Sequence, residues 1–578
     1  MLRTCPMLRS SVLVALLVAT LPLHARQSPE APPRQAAIAS ANAYATDAGL
    51  EVLAAGGNAF DAAVAVSATL GLVEPESSGI GGGGLMLLHI AGEGQAREER
   101  QVFIDARERA PGAAHADMYL DANGKVQENL STDGPLAAAI PGLPAGLVHL
   151  SQKYGKLPLK DSLAPAIRLA RNGWTMNHKT AALLPWRGDV LKLSPGAMEL
   201  FFRNGKPVKA GETLKNPAYA RTLELLAKHG HDGFYRGELA KKLVRGVQRA
   251  GGIWSEEDLA QYKIVEREPL RFTHRGYTLV TAPPVSSGGI ALAEIFNMLD
   301  GYDYANFERA DRLHVTIEAM RRAYRDRAEY LGDPDFTQVP VRLLMSQEYA
   351  AGLRATIHPR KATPSELLPP IEAPPARTDT THFSVIDTEG NLAAITQTVN
   401  LTFGNAFAVP GTGFVLNDEM DDFSAAPGVP NAFGLVGGTA NAIEPGKRPL
   451  SSMTPTLLFG QDRVAAIGTP GGSRIITMVL LGLEALMEGK SAQAAADAPR
   501  YHHQYLPDMV FAEPSALTEE QIAALQARGH KVKVLNDTWG NMNIVLWNRL
   551  TGEVEAASDG RNEGVGKGAL SAPAAIYR

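Results

Sequence analysis

Cysteine is almost missing from this chain of 578 residues, because its one copy, Cys5, lies near the N-terminus. A chain that loses this residue on export has no thiol, which excludes disulfide bonds, zinc sites built from thiolates and cysteine catalysis. Strong charge of either sign is missing too: the formal net charge is −5 at pH 7, so no basic surface for nucleic acid is predicted. Hydrophobic residues make up 45% and charged residues 20%, as in soluble globular proteins.

Several common catalytic signatures are also absent from the sequence. Neither the Gly-x-Ser-x-Gly elbow of α/β-hydrolases nor the His-Glu-x-x-His motif of zinc proteases occurs. The glycine run at 79–84 matches neither the dinucleotide-binding nor the P-loop spacing, which favours tight backbone packing over phosphate binding. The nucleophile of an enzyme with this sequence is therefore Ser, Thr, Lys or a carboxylate, and a Ser or Thr hydroxyl needs an adjacent base.

The first 25 residues have the order of an export signal. Arg3 and Arg9 precede an apolar run at 12–19, and the small residue Ala25 follows. The run is shorter than the roughly 20 apolar residues of a membrane-spanning helix, and no later stretch reaches that length. We expect residues 1–25 to be removed and the protein to be periplasmic or secreted. An uncleaved anchor is the weaker alternative.

The N-terminal two thirds of the chain predict mainly helices. Asn58 is a plausible N-cap for a buried, Ala-rich helix at 59–72. Pro144 and Pro165 are typical of the first turns of two more helices, the second of which ends at Gly173. A long amphipathic helix is predicted at 309–331.

An abrupt change of composition then divides the chain. Five prolines lie between Lys361 and Asp379, and strand-forming sequence follows. The segments 381–387 and 392–400 predict a hairpin. In a three-residue loop with Gly390 in the left-handed position, Thr380 faces Thr398, whereas a two-residue loop would place Val399 there.

A threonine at a chain end is one solution for an enzyme without cysteine. Its own α-amine, with an unperturbed pKa of about 8, serves as the base. Thr380 fits this role if the chain is cut after Asp379, and its hydroxyl could make the cut by attacking the Asp379 carbonyl, with an N-to-O acyl shift and ester hydrolysis. The ordinary interpretation is that Thr380 and Thr381 simply open a strand.

Four segments, in their order and spacing, closely resemble the γ-glutamyltransferases, also called γ-glutamyltranspeptidases. They are TTHFSV at 380–385, NDEMDDFS at 417–424, KRPLSSM at 447–453 and PGGSR at 470–474. Further similarity at 56–63, 107–111, 283–289 and 330–334 extends the resemblance over nearly all of the chain after the signal.

The resemblance implies an α+β fold, the N-terminal-nucleophile hydrolase fold, in which two stacked antiparallel sheets lie between helical layers in a four-layer αββα sandwich. It also implies a precursor that cleaves itself. Residues 26–379 would form the large chain and residues 380–578 the small chain, associated as a heterodimer in one αββα unit. No cofactor and no metal are expected.

The resemblance assigns the chemistry to four residues. Thr380 Oγ would attack the γ-amide carbon and form a γ-glutamyl ester, with Thr398 orienting that hydroxyl. The backbone N–H groups of Gly471 and Gly472 would hold the oxyanion. Without the resemblance, this Pro-Gly-Gly segment is interpreted as an ordinary turn.

Further residues are assigned to the free α-amino acid end of the substrate. Arg107 suits the carboxylate, because its planar fork binds two oxygens, and Ser451 and Ser452 would complete the shell. Glu419 and Asp422 suit the ammonium, helped by Asn400. On sequence alone, the favoured interpretation of Arg107 is a surface ion pair with Glu108 or a neighbour, and that of the acidic residues at 418–422 is a solvated turn, with calcium as a second alternative.

Two other features of the sequence suggest further sites. The adjacent His502 and His503 suggest a metal pair, but neighbours on a strand point to opposite faces and no third ligand is evident, so a structural role is preferred. The segment 424–446 resembles the lid loop of bacterial members, many of which have Tyr where this chain has Phe433. The missing hydroxyl affects gating and the ratio of transfer to hydrolysis.

The function implied is that of an exported γ-glutamyltransferase that cleaves glutathione and related γ-glutamyl compounds and passes the γ-glutamyl group to water or to an amino acid or peptide. The nearest rival is a cephalosporin or glutaryl acylase on the same scaffold. Its substrates lack the free α-amino acid end, so Arg107, Glu419 and Asp422 together argue against it. A rival of another class is an unprocessed, non-catalytic binding protein.

Overall fold

A computed structural model describes residues 30–92, 99–368, 379–426 and 428–570. The predicted signal, residues 1–25, and residues 369–378 of the proline-rich boundary lie outside the described residues. The described strands are β1 (Gln35–Ser40), β2 (Gly83–Ile90), β3 (Arg100–Ala106), β4 (Trp174–Thr175), β5 (Phe202–Arg203), β6 (Lys206–Pro207), β7 (Thr213–Leu214), β8 (Val265–Arg267), β9 (Leu270–His274), β10 (Tyr277–Thr281), β11 (Thr381–Ile386), β12 (Leu392–Thr398), β13 (Thr456–Phe459), β14 (Arg463–Gly468), β15 (Tyr501–His502), β16 (Val510–Ala512), β17 (Val532–Val534), β18 (Asn543–Asn548), β19 (Val554–Ser558) and β20 (Val565–Leu570).

Helices connect and cover these strands, and none in the described ranges is long and apolar enough to cross a bilayer. The helices are α1 (Ala43–Ala54), α2 (Ala59–Val73), α3 (Leu143–Tyr154), α4 (Leu159–Asn172), α5 (His178–Leu191), α6 (Pro195–Phe201), α7 (Pro217–His229), α8 (Asp232–Tyr235), α9 (Gly237–Arg249), α10 (Glu256–Ala260), α11 (Gly288–Asp300), α12 (Arg309–Tyr330), α13 (Val341–Leu344), α14 (Gln347–Ala355), α15 (Ile475–Met487), α16 (Ala492–Ala496) and α17 (Glu519–Ala527).

Two large antiparallel sheets form the centre of the molecule. The first has the strand order β20-β1-β11-β12-β2-β3-β8, and the second has the order β19-β18-β14-β13-β10-β9. Strands from both sides of Asp379 are neighbours in each sheet, so the N-terminal and C-terminal parts of the chain share one fold. Cutting after Asp379 would leave these hydrogen-bonded ladders in place.

Alternation along the strands explains how the sheets are stacked. In β2, Leu85 and Leu87 point to one hydrophobic core, whereas Met86 and Leu88 point to another. The first of these cores also contains Leu457 of the second sheet and apolar residues of α11, α12 and α15, and the other contains those of α2, α3 and α4. The layers follow the order helix, sheet, sheet, helix, which confirms the predicted α+β fold of the N-terminal-nucleophile hydrolase type.

Local sequence signals explain several elements. Asn58 caps α2 in a reciprocal capping box with Asp61, as the sequence predicted. Pro144 lies in the first turn of α3, which is also confirmed. The glycine run packs tightly against backbone: a Cβ on Gly82 would overlap the carbonyl oxygen of Thr398.

The prediction for Pro165 was wrong. This residue lies inside α4, which begins at Leu159, and only the end of that helix at Gly173 is as predicted. A proline inside a helix costs about 3 kcal/mol. The buried side chains of Leu163 and Ala166, on either side of the proline, offset that cost by anchoring the helix to the core.

The hairpin of β11 and β12 has the predicted three-residue register. Thr381 pairs with Gln397, and the Asp387 N–H donates to the Asn391 carbonyl oxygen at 3.1 Å. Gly390 has φ of +88°, the left-handed conformation that the loop requires. The hairpin lies at the middle of the first sheet, between β1 and β2, so its first residue is surrounded by structure.

Candidate active site

The hairpin register brings two threonine hydroxyls together. Thr380 precedes β11 and Thr398 ends β12, and their Oγ1 atoms are 3.2 Å apart. Both residues are buried. In the uncut chain, the Thr380 hydroxyl also donates to the carbonyl oxygen of Asp379, the residue before it. The nucleophile predicted from the sequence therefore lies directly against the bond that it is predicted to attack.

Thr398 is itself held by the loop that follows it. The Asn400 N–H donates to Thr398 Oγ1 at 2.8 Å, which leaves the hydroxyl hydrogen of Thr398 available to another acceptor. Asn400 has φ of +79°, a conformation that asparagine tolerates better than most residues. Its side-chain amide donates to the Asp418 carbonyl oxygen at 3.0 Å, so this loop joins the nucleophile to the acidic turn at 418–422.

Two consecutive glycines open a helix near the same bond. Gly471 and Gly472 have φ of +140° and +54°, and a short turn from Gly472 continues into α15. The first N–H groups of a helical segment have no acceptor within it, so these amides can bind an anion. A cavity of about 500 Å³ is lined by both Asp379 and Gly471. Gly471 of the predicted oxyanion site thus shares a cavity with Asp379, the residue before the predicted cut.

Arg107, which follows β3, is the centre of a buried ion cluster. Its guanidinium bonds to Glu419 through Nη1 and to Asp422 through Nη2, and Glu108 Oε2 lies 3.6 Å from Nη1. The Arg107 Nε donates to the Pro449 carbonyl oxygen at 3.1 Å. Arg107 is 1% exposed. The surface ion pair favoured on sequence alone is therefore contradicted, and we call Arg107, Glu108, Glu419 and Asp422 the Arg107 cluster.

The electrostatics of the Arg107 cluster follow from its burial. Burial raises the pKa of Glu419 well above its usual value, and it raises the pKa of Asp422 and of Glu108, the last to about 7. Burial opposes the charge of Arg107 as well, but Glu419, Asp422 and Glu108 hold the pKa of the guanidinium above its usual value. The site holds three carboxyl groups against this arginine, so it favours binding a further cation.

The two serines lie beside a second arginine, which the sequence did not single out. Ser452 Oγ accepts from Arg327 Nη2 at 3.3 Å, and Arg327 Nε donates to Ser287 Oγ at 3.1 Å. Ser451 is tied to Ser287 through its carbonyl oxygen, at 2.9 Å from the Ser287 N–H. Arg327 is buried on α12, and burial lowers its pKa to about 10. An arginine on the core-facing side of an amphipathic helix is the signal that would have found it.

Comparison of the whole chain with known proteins decides the family. The family described as Gamma-glutamyltranspeptidase matches residues 45–569. The chain belongs to the gamma-glutamyltranspeptidase family. It is 43% identical over 523 residues to a glutathione hydrolase proenzyme of Pseudomonas sp. (strain A14), covering 89% of this chain and 90% of that protein. It is 41% identical over 535 residues to the glutathione hydrolase proenzyme of Escherichia coli (strain K12), covering 92% of this chain and 91% of that one.

A solved structure with the same fold has a different name. The cephalosporin acylase from Bacillus halodurans superposes with a TM-score of 0.81 at 29% identity, covering 96% of this chain and 99% of that chain. The gamma-glutamyltranspeptidase fold is thus similar to that of an acylase, and the assignment of a substrate depends on the residues around the nucleophile.

In this family member, residues 431–433 of the segment that resembles a lid loop pack against the acidic turn. Asn431 Nδ2 donates to Asp422 Oδ1 at 3.2 Å, and the Ala432 N–H donates to Asp421 Oδ2 at 2.8 Å. Phe433 is 3% exposed, and its carbonyl oxygen accepts from Gln504 at 3.3 Å. The solvated turn favoured on sequence alone is contradicted, because Glu419 and Asp421 are buried and residues 431 and 432 bond to Asp422 and Asp421.

A second ion cluster, which no sequence motif indicated, lies around the predicted cut between Asp379 and Thr380. Lys179 of α5 lies 3.5 Å from Asp379 Oδ1 and 3.6 Å from Glu76 Oε1, and Ser77 Oγ accepts from Lys179 Nζ at 3.0 Å. Glu74 is buried next to them, where Thr381 Oγ1 donates to it at 3.3 Å. Burial opposes the charge of Lys179, but the carboxylates of Asp379, Glu76 and Glu74 raise its pKa. We call Glu74, Glu76, Ser77, Lys179 and Asp379 the Lys179 cluster.

The adjacent histidines have separate buried partners. His502 Nδ1 lies 2.8 Å from Thr477 Oγ1, and His503 Nε2 lies 3.3 Å from Asp508 Oδ1. Burial lowers the pKa of His502 to about 3 and that of His503 to about 4. Among the residues that the structure describes, no group of three or more metal-binding side chains is found.

Proposed function

We propose that the chain is an exported, self-processing γ-glutamyltransferase that hydrolyses glutathione and related γ-glutamyl amides and passes the γ-glutamyl group to amino acids or peptides. The observation that carries the proposal is the presence, in one site, of a threonine pair at a scissile bond and the buried Arg107 cluster, connected through Asn400. The names of the two relatives as glutathione hydrolase proenzymes support it.

The first step is maturation. Thr380 Oγ attacks the carbonyl carbon of Asp379, the C–N bond to Thr380 breaks, and the nitrogen takes the hydroxyl proton to become a free amine. Water then hydrolyses the ester that joins Asp379 to Thr380 Oγ. This yields residues 26–379 and 380–578 as a heterodimer, and their shared sheets support the continued association.

The second step uses the freed amine. It takes the proton of the Thr380 hydroxyl while Oγ attacks the γ-carbonyl of the donor, and the N–H groups of Gly471 and Gly472 stabilise the oxyanion. The leaving amine takes the proton and departs, which leaves a γ-glutamyl ester. Water or the amine of an acceptor attacks that ester and restores the threonine. Thr398 Oγ1, 3.2 Å from Thr380 Oγ1, orients the nucleophile throughout.

Recognition of the γ-glutamyl end is an exchange of ion pairs. In the structure, Arg107 is bonded to Glu419 and Asp422. The α-carboxylate of a donor would take a place on the Arg107 fork, with Ser451 and Ser452 in its shell, while its α-ammonium binds the two displaced carboxylates and Asn400. A ligand with both charges satisfies the whole cluster, whereas a ligand with only one of them leaves an unpaired charge in a buried site.

Export belongs to the proposal as well. The order of charged, apolar and small residues in 1–25 supports removal of a signal and a periplasmic or secreted enzyme.

Phe433 would cover the γ-glutamyl ester as the lid residue.

An acylase is the second candidate, because the Bacillus halodurans acylase has the same fold. Assays of γ-glutamyl and glutaryl p-nitroanilide side by side separate the two functions. We expect kcat/KM to be at least about 100-fold higher for the γ-glutamyl compound, since the glutaryl group keeps the carboxylate but lacks the α-ammonium, which leaves Glu419 and Asp422 without a ligand cation. A preference for the glutaryl compound would assign the chain to the acylases.

A further inference from the structure

The side chain of Asp379 occupies a site built for a carboxylate. Ser77 Oγ donates to Asp379 Oδ1 at 2.7 Å, and the Thr380 N–H donates to the same oxygen at 3.0 Å. Lys179 Nζ lies 3.5 Å from Oδ1, and Thr402 Oγ1 donates to Oδ2 at 3.4 Å. Asp379 is 6% exposed, so these four donors replace most of its water.

Two of these donors, Lys179 and Ser77, have supports that do not depend on Asp379. Lys179 Nζ donates to Ser77 Oγ at 3.0 Å and lies 3.6 Å from Glu76 Oε1. The Ser77 N–H donates to the Glu74 carbonyl oxygen at 3.0 Å. After the cut, Asp379 is the last residue of the large chain and is free to move, whereas Ser77, Lys179 and Thr402 stay. If Asp379 leaves when the chain is cut, a carboxylate site one residue from the nucleophile becomes empty.

The cavity at this site carries two further cations. Lys179, Gly471, Arg474 and Arg561 all line it, and Arg561 is paired with Glu513 at 2.6 Å. The Arg474 guanidinium lies 4.6 Å from the centroid of the Trp539 ring, and the described residues place no carboxylate within 4 Å of it. Once Asp379 has left, these three cations remain on the cavity wall. Such a surface attracts an anionic ligand.

The γ-glutamyl end of a donor is not that ligand. Among the described residues that line this cavity, Arg107, Glu419 and Asp422 are absent. The γ-glutamyl end would bind in the Arg107 cluster, so the cavity is available to the other molecule in the reaction. That molecule is either the peptide released from the donor or the acceptor that attacks the ester.

We propose that Ser77, Lys179 and Thr402 form the binding site for the free carboxylate of an amino acid or peptide, and that Asp379 occupies this site until the chain is cut. The inference rests on the proposed function. The same chemistry has two sources, because both a released peptide such as cysteinylglycine and an acceptor such as glycylglycine end in a free carboxylate. Arg474 adds a positive charge at the cavity wall, which attracts the carboxylate of either peptide.

The mature wild-type enzyme gives the first test, without any substitution. With γ-glutamyl p-nitroanilide as donor, we expect the KM of glycylglycine to be at least about tenfold lower than that of glycylglycinamide, which lacks the charge. In parallel, kcat/KM is compared for glutathione and its C-terminal amide. Discrimination in the first arm identifies the acceptor as the ligand, and in the second arm the released peptide. Equal constants in both arms overturn the proposal.

Variants then locate the site. In Lys179→Met, we expect the preference for the free carboxylate to fall to about twofold. Lys192→Met is the matched control, since Lys192 lies one residue beyond the same helix in an exposed ion pair with Asp189 at 3.2 Å, and it should keep the wild-type preference. A wild-type preference in mature Lys179→Met overturns the assignment. If that variant is not cut, Thr402→Val takes its place, with the same outcomes.

Failure of the proposed function is seen separately. If the wild type releases no nitroaniline from γ-glutamyl p-nitroanilide, the enzyme assignment itself is wrong. If it releases nitroaniline but shows no preference for a free carboxylate, only the site at Lys179 is excluded.

Discussion

The Arg107 cluster and the Lys179 cluster both place several buried carboxylates around one cation, yet the predicted cut affects them differently. In the first, Arg107 comes before the cut and Glu419 and Asp422 come after it, and none of them is at the broken bond. In the second, Asp379 is itself the residue whose carbonyl would be attacked. On the proposed cut, the first cluster would stay intact, whereas the second would lose one of its acids.

The difference indicates separate duties for the two cations. Arg107 presents a planar fork in a site from which water is almost excluded, which suits a ligand that is bound in one orientation. Lys179 has a side chain that is 25% exposed and a point charge at the cavity wall. Lys179 therefore suits ligands that bind and dissociate in each turnover. Substitutions that affect one cluster and leave the other unchanged separate these two functions.

The largest effect is expected at Thr380, because the proposed roles of both clusters depend on this nucleophile. Thr380→Ala should remain a single chain and should lose γ-glutamyl turnover by at least about 10⁴-fold, because neither the cut nor the ester can form. A denaturing gel measures the cut, and an assay with a γ-glutamyl anilide measures the turnover. Thr380→Ser keeps a hydroxyl and should still be cut, more slowly. A Thr380→Ala protein that is cut at the wild-type rate would exclude this residue as the nucleophile.

A large effect confined to the Arg107 cluster comes next. Arg107→Lys should be cut normally but should lose about 10²- to 10³-fold in kcat/KM for a γ-glutamyl donor, because an ammonium cannot pair with two carboxylates in the same plane. Arg109→Lys is the control, since Arg109 is half-buried and its Nε donates to the Gly446 carbonyl oxygen at 2.7 Å. Equal losses in the two variants would contradict a specific role for Arg107.

A moderate effect is expected from the partner hydroxyl. Thr398→Val should lower kcat of the mature enzyme about tenfold, because Thr380 loses its orienting hydrogen bond and the Asn400 N–H loses its acceptor. Thr396→Val, two residues earlier on the same strand, breaks a 2.8 Å bond to His382 instead and should leave kcat within about twofold. If both substitutions have the same effect, Thr398 acts only through the stability of the strand.

The smallest effect concerns the pH dependence of stability in the Lys179 cluster. Burial raises the pKa of Glu74 to about 8, so the folded precursor holds a proton that the unfolded chain releases above about pH 4.5. Stability is therefore fully present below pH 4.5 and falls as the pH rises towards 8, by up to about 1.4 kcal/mol per pH unit from this group. Urea midpoints of Thr380→Ala at pH 6 and 8 measure the fall, and adding Glu74→Gln should make it smaller.

An unchanged fall in the double variant would show that Glu74 is not the group that titrates. Glu389→Gln is the control substitution, because Glu389 is largely exposed in an ion pair with Lys156 and its removal should leave the slope as it is.

The nucleophile hairpin was predictable from the sequence because its geometry is local. The loop length fixes the register, and the register alone sets Thr380 opposite Thr398. The fold class followed from the resemblance of the motifs to a known family, and not from periodicity. The position of Pro165 was not predictable in this way, since packing of the residues around it overrides the local preference.

The ion clusters could be predicted only in part, since they depend on contacts between residues far apart in the chain. Arg107 and Glu419 were named through the resemblance, but the spacing of 312 residues between them gives no sign that they are bonded and buried. Lys179 belongs to no motif and lies on a half-exposed helix, where a lysine is ordinarily solvated. Only the fold brings it to Asp379.

One measurement tests the central claim most directly: intact mass and N-terminal sequencing of the purified wild type, followed over time beside γ-glutamyl turnover. The account predicts two chains, the smaller beginning at Thr380, and turnover that rises in proportion to the fraction cut. A protein that stays in one piece while it turns over γ-glutamyl substrate at full rate would contradict it. An intact chain without turnover would point to the non-catalytic binding protein instead.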